Sequence, residues 1–339
     1  MITFWQQENN KLIKYEDENE LDLNKRTWIN VRSVTREDIV VLEEEYKVDP
    51  EHILDILDQD ELSRVETADD YTLIIVRLPA FNPENDIAYS SLPLGIILLP
   101  DKILTICWSD CEVLKDIAAN RIRSLSLNDF PAFVMHILSR ADSTYLRYLK
   151  EINRKATIIQ KELERSVNND DLIQLLTLEK SLVYFTTSLC SNQLLLEKLM
   201  KTRYLVLDEE DKDWLEDVQI DNRQAIEMAN TYTNILSGMT ETFASVISNN
   251  LNIVMKRLTI ISLVLMVPTF ITGYYGMNIK LPFANLDWLG TVIVSIICLV
   301  AVGITLPIFL NDTTVEKKSK KQKKFISPRQ KRVKRGKIE

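Results

Sequence analysis

Residues 257–312 read RLTIISLVLMVPTFITGYYGMNIKLPFANLDWLGTVIVSIICLVAVGITLPIFLND, and this stretch decides the fold. It contains 22 uncharged residues between Arg257 and Lys280 and another 24 between Asp287 and Asp312. A helix needs roughly 20 apolar residues to cross the hydrocarbon core of a bilayer. The sequence therefore predicts two transmembrane helices, over residues 258–275 and 288–310, joined by a short loop over residues 276–287.

Basic residues orient these two segments. Lys256 and Arg257 precede the first segment, and residues 311–339 carry 12 Lys or Arg against 3 Asp or Glu, whereas the connecting loop holds only Lys280. Because Lys and Arg concentrate on the cytoplasmic side, both termini are predicted to be cytoplasmic in a multi-pass protein of the cell membrane, with the loop outside. The basic tail is expected to contact anionic lipid headgroups or an acidic protein surface. Its place after a membrane segment argues against the alternative of a nucleic-acid patch.

Residues 1–128 show the mixed pattern of a cytoplasmic α/β domain, of the α+β class with αβα layering. Short β-rich runs occur at Thr27–Val34, Thr72–Phe81, Leu92–Leu99 and Lys102–Trp108. Thr35 with Asp38 predicts the start of a helix, and Pro50 is favoured in a first helical turn. Pro93 predicts that its strand begins there or lies at an edge, because proline lacks the N–H that a sheet ladder uses.

The chain then becomes helical. Residues 129–205 have helical periodicity and predict an antiparallel helical hairpin whose turn lies at residues 168–171. Next comes an acidic run, with eight Asp or Glu among residues 208–221. The chain continues from Asn222 to Arg257 without proline, so residues 206–257 predict an acidic segment and a stalk helix that enters the first membrane segment.

Residue types that many enzymes and zinc proteins need are scarce. The chain has 7 glycines without a glycine-rich phosphate loop, two histidines, and four scattered cysteines. Cys107 and Cys111 match no zinc-site spacing and are expected to mark the end of a strand and its following loop. With no nucleophile–base pairing or cofactor loop in the sequence, we expect a protein that is not an enzyme and uses no organic cofactor.

A line of polar and small residues runs down the long helix, and we call it the polar seam. Positions spaced alternately four and three residues apart keep one face of a helix towards a bundle axis. Here they hold Glu241, Ser245, Ser248, Asn252, Met255, Thr259, Ser262, Met266, Thr269, Gly273 and Gly276. Such residues either let membrane helices pack closely or line a water-filled path, and the spacing leaves both open. A path would require an oligomer, because two membrane helices per chain cannot enclose one.

The end of the first membrane segment resembles the signature of the CorA family of magnesium transporters. The matching residues are Tyr275-Gly276-Met277-Asn278, preceded by Asn252-Ile253-Val254-Met255-Lys256-Arg257-Leu258-Thr259-Ile260-Ile261 and Pro268-Thr269-Phe270-Ile271-Thr272-Gly273-Tyr274. The order of segments agrees as well, from the α/β domain through hairpin and stalk to two membrane helices and a basic tail. The resemblance implies a CorA-like homopentamer with a central pore.

The resemblance also implies roles for individual residues. The selectivity loop would be Gly276, Met277 and Asn278, and the Asn278 amide oxygens would hold hydrated Mg²⁺ without removing its water. The pore would be lined by Glu241, Asn252, Met255, Leu258, Thr259, Ser262, Met266, Thr269 and Gly273. Among these, Met255 and Leu258 would form a hydrophobic constriction that gates by dewetting.

A second implied site is regulatory. Internal Mg²⁺ would bind between neighbouring subunits and favour the closed state, with candidate ligands Asp213, Asp217 and Asp221 and candidate partner acids Glu84 and Asp86. The alternative for the acidic run is a solvated helix start.

The sequence thus predicts a channel for Mg²⁺ influx, also passing Co²⁺ or Ni²⁺, that closes when cytoplasmic Mg²⁺ is high. One departure from the family is Leu281-Pro282-Phe283 after Lys280, where family members often have a loop acid, so cation attraction to the mouth is expected to be weaker. The first rival is a Zn²⁺ transporter of the same family, which pH dependence of flux would reveal and which the lack of membrane histidines disfavours. The second is a non-conducting, membrane-anchored sensor of divalent ions, which any flux would exclude.

Overall fold

The computed structural model describes residues 1–68, 70–122, 125–166, 168–201, 205, 207–277, 288–304 and 307. The chain divides into two compact units, Met1–Phe243 and Ala244–Glu339. The first unit contains a sheet and most of the helices, and the second contains the apolar helical segments.

A seven-stranded mixed sheet lies at the centre of the first unit. Its strands are β1 (Ile2–Glu8), β2 (Lys11–Tyr15), β3 (Thr27–Arg32), β4 (Arg64–Thr67), β5 (Thr72–Phe81), β6 (Tyr89–Leu98) and β7 (Lys102–Cys107). They lie in the order β2-β1-β3-β7-β6-β5-β4, with β3 and β7 parallel and all other neighbouring pairs antiparallel. The four predicted runs correspond to β3, β5, β6 and β7, whereas β1, β2 and β4 have no predicted counterpart.

The unpredicted strands lie at the two edges of the sheet. β1 and β2 form a hairpin whose turn residues, Asn9 and Asn10, have φ values of 49° and 61°. Two successive left-handed residues make the tight turn that suits strand twist, and Asn adopts this conformation more readily than most residues. The Asn9-Asn10 pair was therefore a usable signal. β4 gives little signal, because it has four residues and buries only Val65.

Pro93 lies inside β6, not at its start, so that part of the prediction is wrong. β6 begins at Tyr89, and Pro93 pairs with Arg77 of β5. Pairing with β7 covers only Gly95 to Leu98. At Pro93 the strand therefore has one neighbour, and the missing N–H interrupts no ladder on the β7 side.

Helices cover both faces of the sheet, which confirms the αβα layering. On one face, α1 (Arg36–Glu44) and α2 (Pro50–Leu57) pack over a core that includes Ile29 and Leu104. On the other face, α3 (Glu112–Ala118) and the longer helices pack over a core that includes Trp28.

The helix starts predicted from local sequence are also present in the structure. Thr35 and Asp38 form a reciprocal capping box at the start of α1, with hydrogen bonds of 2.9 and 3.3 Å. Pro50 occupies the first turn of α2. Cys107 is the last residue of β7 and Cys111 caps α3, as their spacing indicated.

The predicted hairpin consists of α4 (Phe130–Arg165) and α5 (Asn169–Lys201). A third helix, α6 (Glu209–Tyr275), packs against the hairpin through a core that includes Phe185, Ala225 and Ala229. Alanines at this contact let helices approach closely. Because α6 begins at Glu209, the acidic run itself forms the first turns of the long helix.

The second unit contains the rest of α6 and the apolar helix α7 (Trp288–Ile304). By length and composition, α6 is the one helix among the described residues that is long and apolar enough to cross a membrane. Residues 305–306 and 308–310, which were predicted to complete the second span, lie outside the described residues.

Candidate ion path and acidic site

In the second unit α6 is exposed over most of its surface, and of its described residues only Ile260 and Val264 are buried. Ile260 and Val264, four residues apart, are each 9% exposed, whereas Met255 is 58% and Met266 66% exposed. The other predicted pore-lining residues of this unit are also exposed: Asn252, Leu258, Thr259, Ser262, Thr269 and Gly273. At 100° per residue Val264 lies opposite the polar seam, so the described residues of this unit do not bury the seam.

Three hydroxyls of the seam, all within the apolar part of α6, bond in the same way. Thr259 donates to the carbonyl of Met255 at 2.9 Å, Ser262 to that of Leu258 at 3.0 Å, and Thr269 to that of Leu265 at 2.8 Å. A hydroxyl has one donor hydrogen and two acceptor lone pairs. Since each hydrogen is used inside the helix, the oxygen lone pairs remain for an outside partner. The seam therefore presents hydrogen-bond acceptors, which suit the water shell of a cation.

The signature begins where α6 ends. The Gly276 N–H donates to the carbonyl of Thr272 at 2.9 Å, and the Met277 N–H donates to that of Tyr274 at 3.4 Å. Gly276 and Met277 thus close the last turn of the helix. Asn278, the predicted cation-binding residue, lies outside the described residues.

The candidate regulatory acids belong to the first unit. Asp213 and Asp217 are exposed on the first turns of α6, Asp221 is half-buried, and Glu241 is exposed further along the helix. The helix start is fixed by reciprocal bonds: the Asp211 N–H donates to Asp208 at 2.8 Å, and the Asp208 N–H donates to Asp211 at 3.3 Å. These bonds occupy Asp208 and Asp211, so the exposed acids beyond them are the ones free to meet a cation.

Glu84 and Asp86 lie exposed in the loop between β5 and β6. The strand after this loop is tied to α4, since the Tyr89 hydroxyl donates to Glu151 at 3.1 Å and the Lys155 ammonium lies 4.7 Å from the Tyr89 ring. Burial, followed by the Glu151 charge, raises the pKa of Tyr89 to about 12.

Within the part of the chain that the structure describes, no group of three or more His, Cys, Asp or Glu is arranged to hold a metal ion. One chain therefore does not bring Glu84 and Asp86 together with the α6 acids as a metal site. A site made from both sets needs a neighbouring chain, and its composition stays a prediction.

The structure adds one acid that the sequence reading missed. Asp142 of α4 is 3% exposed, and its charge interacts with that of Asp221 on α6. Burial raises the pKa of Asp142 well above its usual value, and the nearby Asp221 charge raises it further. Among the described residues, no Lys, Arg or His lies within ion-pair distance of Asp142. Protonation of Asp142 would relieve both the cost of burying its charge and its repulsion from Asp221.

A signal for Asp142 was present in the sequence. Ala141 and Tyr145 are buried on the same face of α4, so an aspartate at position 142 interrupts an apolar face. A charged residue at such a position calls for a partner, because an unpaired buried carboxylate is costly.

Comparison with known proteins covers both units. A family model described as "CorA-like Mg2+ transporter protein" matches residues 24–311. Two relatives are named "Cobalt/magnesium transport protein CorA". The one from Methanocaldococcus jannaschii is 30% identical over 286 residues, covering 82% of this chain and 89% of the relative. The one from Thermotoga maritima is 24% identical over 287 residues, covering 83% of this chain and 81% of the relative.

A solved structure, described as the complete structure of the CorA magnesium transporter from Methanocaldococcus jannaschii, matches with a TM-score of 0.75 at 27% identity. The match covers 91% of this chain and 96% of that one. The matched residues 24–311 include the hairpin, the whole of α6, the signature and α7, and leave the basic tail outside. The chain belongs to the CorA-like Mg²⁺ transporter family.

Proposed function

We propose that this protein is an oligomeric channel, a homopentamer by its resemblance to the family, that carries Mg²⁺ into the cytoplasm. Co²⁺ is the second expected ion, since both relatives are named for cobalt and magnesium transport, and Ni²⁺ is the third. The observation that carries the proposal is the polar seam, an exposed line of oxygen acceptors on a helix that is otherwise apolar enough to cross a membrane.

The ion would pass as a hydrated cation. Mg²⁺ releases its water reluctantly, so a path of neutral oxygen acceptors can hold the water shell while leaving the ion free to move on. Five copies of α6 with their seams inward would supply such a path from Asn252 to Thr269. Met255 and Leu258 would interrupt it with an apolar ring, and such rings close by losing water. Asn278 would select ions at the outer end, with both termini on the cytoplasmic side.

Closure would follow from cytoplasmic Mg²⁺ at the acids of the first unit. Asp213 and Asp217 are exposed on the first turns of α6, and Asp221 is half-buried one turn further along. A cation held more tightly in the closed arrangement shifts the population towards it.

Flux into proteoliposomes containing the purified protein, read by an internal Mg²⁺ dye, tests the proposal. Ser262→Ala removes a seam oxygen, and Ser295→Ala on α7 is the matched control, because Ser295 also donates to a carbonyl four residues earlier, at 2.8 Å. We expect Ser262→Ala and Asn278→Ala to lower flux at least several-fold and Ser295→Ala to leave it unchanged. Equal flux in all three variants would refute the path, and flux of Zn²⁺ without Mg²⁺ would overturn the substrate.

A second series adds Mg²⁺ on the cytoplasmic side. We expect inhibition in the parent protein and weaker inhibition in Asp217→Asn, with the maximal flux at low internal Mg²⁺ preserved. Inhibition that is identical in both proteins would remove Asp217 from the regulatory site.

A further inference from the structure

An apolar line on the outer side of α5 has no partner within the described part of the chain. Its positions are spaced alternately three and four residues apart, and we call the line the α5 stripe: Ile173, Leu176, Lys180, Val183, Thr187, Cys190 and Leu194. Ile173 is 60%, Val183 53% and Leu194 63% exposed. This spacing is the one by which a helix packs along another helix, and an exposed line that is apolar at five of its seven positions, with Lys180 and Thr187 as the exceptions, fits such an interaction surface.

The nearest matching surface in the same sequence lies on α6. Ile220 is 54% and Ile235 40% exposed on the half of α6 that belongs to the first unit. Both stand among polar and acidic neighbours, so each is a separate apolar contact point on an otherwise hydrophilic face.

Hydrogen bonds within the chain show which residues of α5 and α6 lie at the same height along the helix pair, and we call such residues level. Asn222 donates to the carbonyl of Leu189 at 3.0 Å and Gln219 to that of Leu196 at 3.1 Å. Further along, Ser237 donates to Glu179. The helices are therefore antiparallel. Ile220 is level with the region of Leu194, and Ile235 is level with the segment from Lys180 to Val183.

We propose that the α5 stripe of one chain packs against Ile220 and Ile235 on α6 of the next chain in the ring. This rests on the oligomer of the proposed function. Rotation about an axis parallel to α6 does not change the height of a residue along that axis. The next chain would therefore place its Ile220 beside Leu194 of the first chain and its Ile235 beside Val183. The contact joins two different surfaces, which is the kind of interface that closes into a ring.

Charge favours the same partner. The last turn of α5 carries the exposed Lys201, and the first turn of α6 carries the exposed Glu210, at the same end of the helix pair. An α6 partner thus brings acids towards the basic end of the stripe. Pairing α5 with α5 of a rotated copy would instead keep the helices parallel and oppose Lys180 with Lys180.

Cysteine cross-linking in the full-length protein tests this contact. In a background of Cys190→Ser and Cys298→Ser, we would combine Leu194→Cys with Ile220→Cys, and separately Val183→Cys with Ile235→Cys. The matched control is Leu194→Cys with Ile235→Cys, on the same faces but 15 residues, or about 22 Å, out of level. Mild oxidation should give covalent dimers and larger multiples for the two level pairs and monomer for the control.

The contact is wrong if both level pairs stay monomeric, close only within one chain, or cross-link no more than the control. Replacing the two apolar residues with opposite charges provides a second test. Leu194→Lys should lower the oligomer fraction on native gels, and adding Ile220→Glu should restore it; no loss with Leu194→Lys would also refute the contact. Normal Mg²⁺ flux without level-specific cross-links would overturn this interface alone, whereas cross-links without flux would overturn the channel alone.

Discussion

Replacing Asn192 of α5 should destabilise the first unit, because its side chain completes the sheet where β4 has ended. Asn192 accepts from the Arg77 N–H at 3.0 Å and from the Ser63 hydroxyl at 2.6 Å, and it donates to the Arg77 carbonyl at 2.9 Å. β4 pairs with β5 only as far as Ile75, so Arg77 has no strand neighbour on that side. The amide therefore takes the place of a peptide group from a neighbouring strand.

The magnitude follows from the groups left unpaired by Asn192→Ala. The Arg77 carbonyl keeps the Tyr145 hydroxyl at 3.1 Å, whereas the Arg77 N–H and the Ser63 hydroxyl lose their acceptor. A buried polar group without a partner costs about 1–3 kcal/mol, which gives about 2–6 kcal/mol for two. At about 2–4 °C per kcal/mol for a unit of this size, the apparent Tm should fall by roughly 10 °C.

Thermal unfolding of the purified full-length protein, followed by tryptophan fluorescence, measures this shift. Asn192→Leu keeps the side-chain volume and should be about as harmful, because it restores no acceptor. Asn230→Ala on the exposed side of α6 is the control and should change stability by no more than about 0.5 kcal/mol. A fall below about 3 °C for Asn192→Ala, or full stability of Asn192→Leu, would show that the amide does not complete the sheet.

Two further predictions concern pH and gating. Because the folded-state pKa of Asp142 lies above its unfolded value of 3.8, its favourable contribution is complete below about pH 4 and is lost as pH rises through the raised pKa. The Tm of the parent protein should therefore fall relative to Asp142→Asn between pH 4 and 8, and a difference that is constant with pH would contradict the raised pKa of Asp142. At the proposed constriction, Leu258→Ser should raise Mg²⁺ flux several-fold by keeping the ring wet, whereas Ile261→Ser, similarly exposed but not among the predicted pore-lining residues, should not; equal effects would place the gate elsewhere.

Features that depend on neighbours in sequence were predictable. The Thr35–Asp38 capping box and the Pro50 helix start follow from local chemistry, and both are present. A break between α4 and α5 was also predicted, but at residues 168–171, whereas α4 ends at Arg165 and α5 already begins at Asn169. The αβα layering was also predicted, because β-rich runs alternate with helical ones. Two of the missed strands, β2 and β4, are short edge elements in which half-exposed residues dilute the apolar pattern that marks a strand. The third, β1, has seven residues with four buried and pairs on both sides, so this reason does not apply to it.

Contacts between distant residues were not predictable in the same way. Asn192 and Arg77 are 115 residues apart, and nothing in either local sequence indicates that the amide ends a sheet. Asp142 and Asp221 pose the same problem across two helices. The pattern of α4 shows that Asp142 faces the core, but only the packing of α6 shows which carboxylate it meets.

The polar seam depends both on local hydrogen bonding and on how α6 packs. In a single chain the apolar side of α6 at Ile260 and Val264 is buried, while the hydroxyl oxygens of Thr259, Ser262 and Thr269 point away from that packing. Hydrocarbon offers no donor to these lone pairs, so facing lipid would leave them unsatisfied. Water or another protein chain can supply donors. Because the exposed Ser295 on α7 makes the same bond, the bonding alone does not place the seam in a pore, and the Ser262→Ala and Ser295→Ala comparison tests whether water lies along the seam.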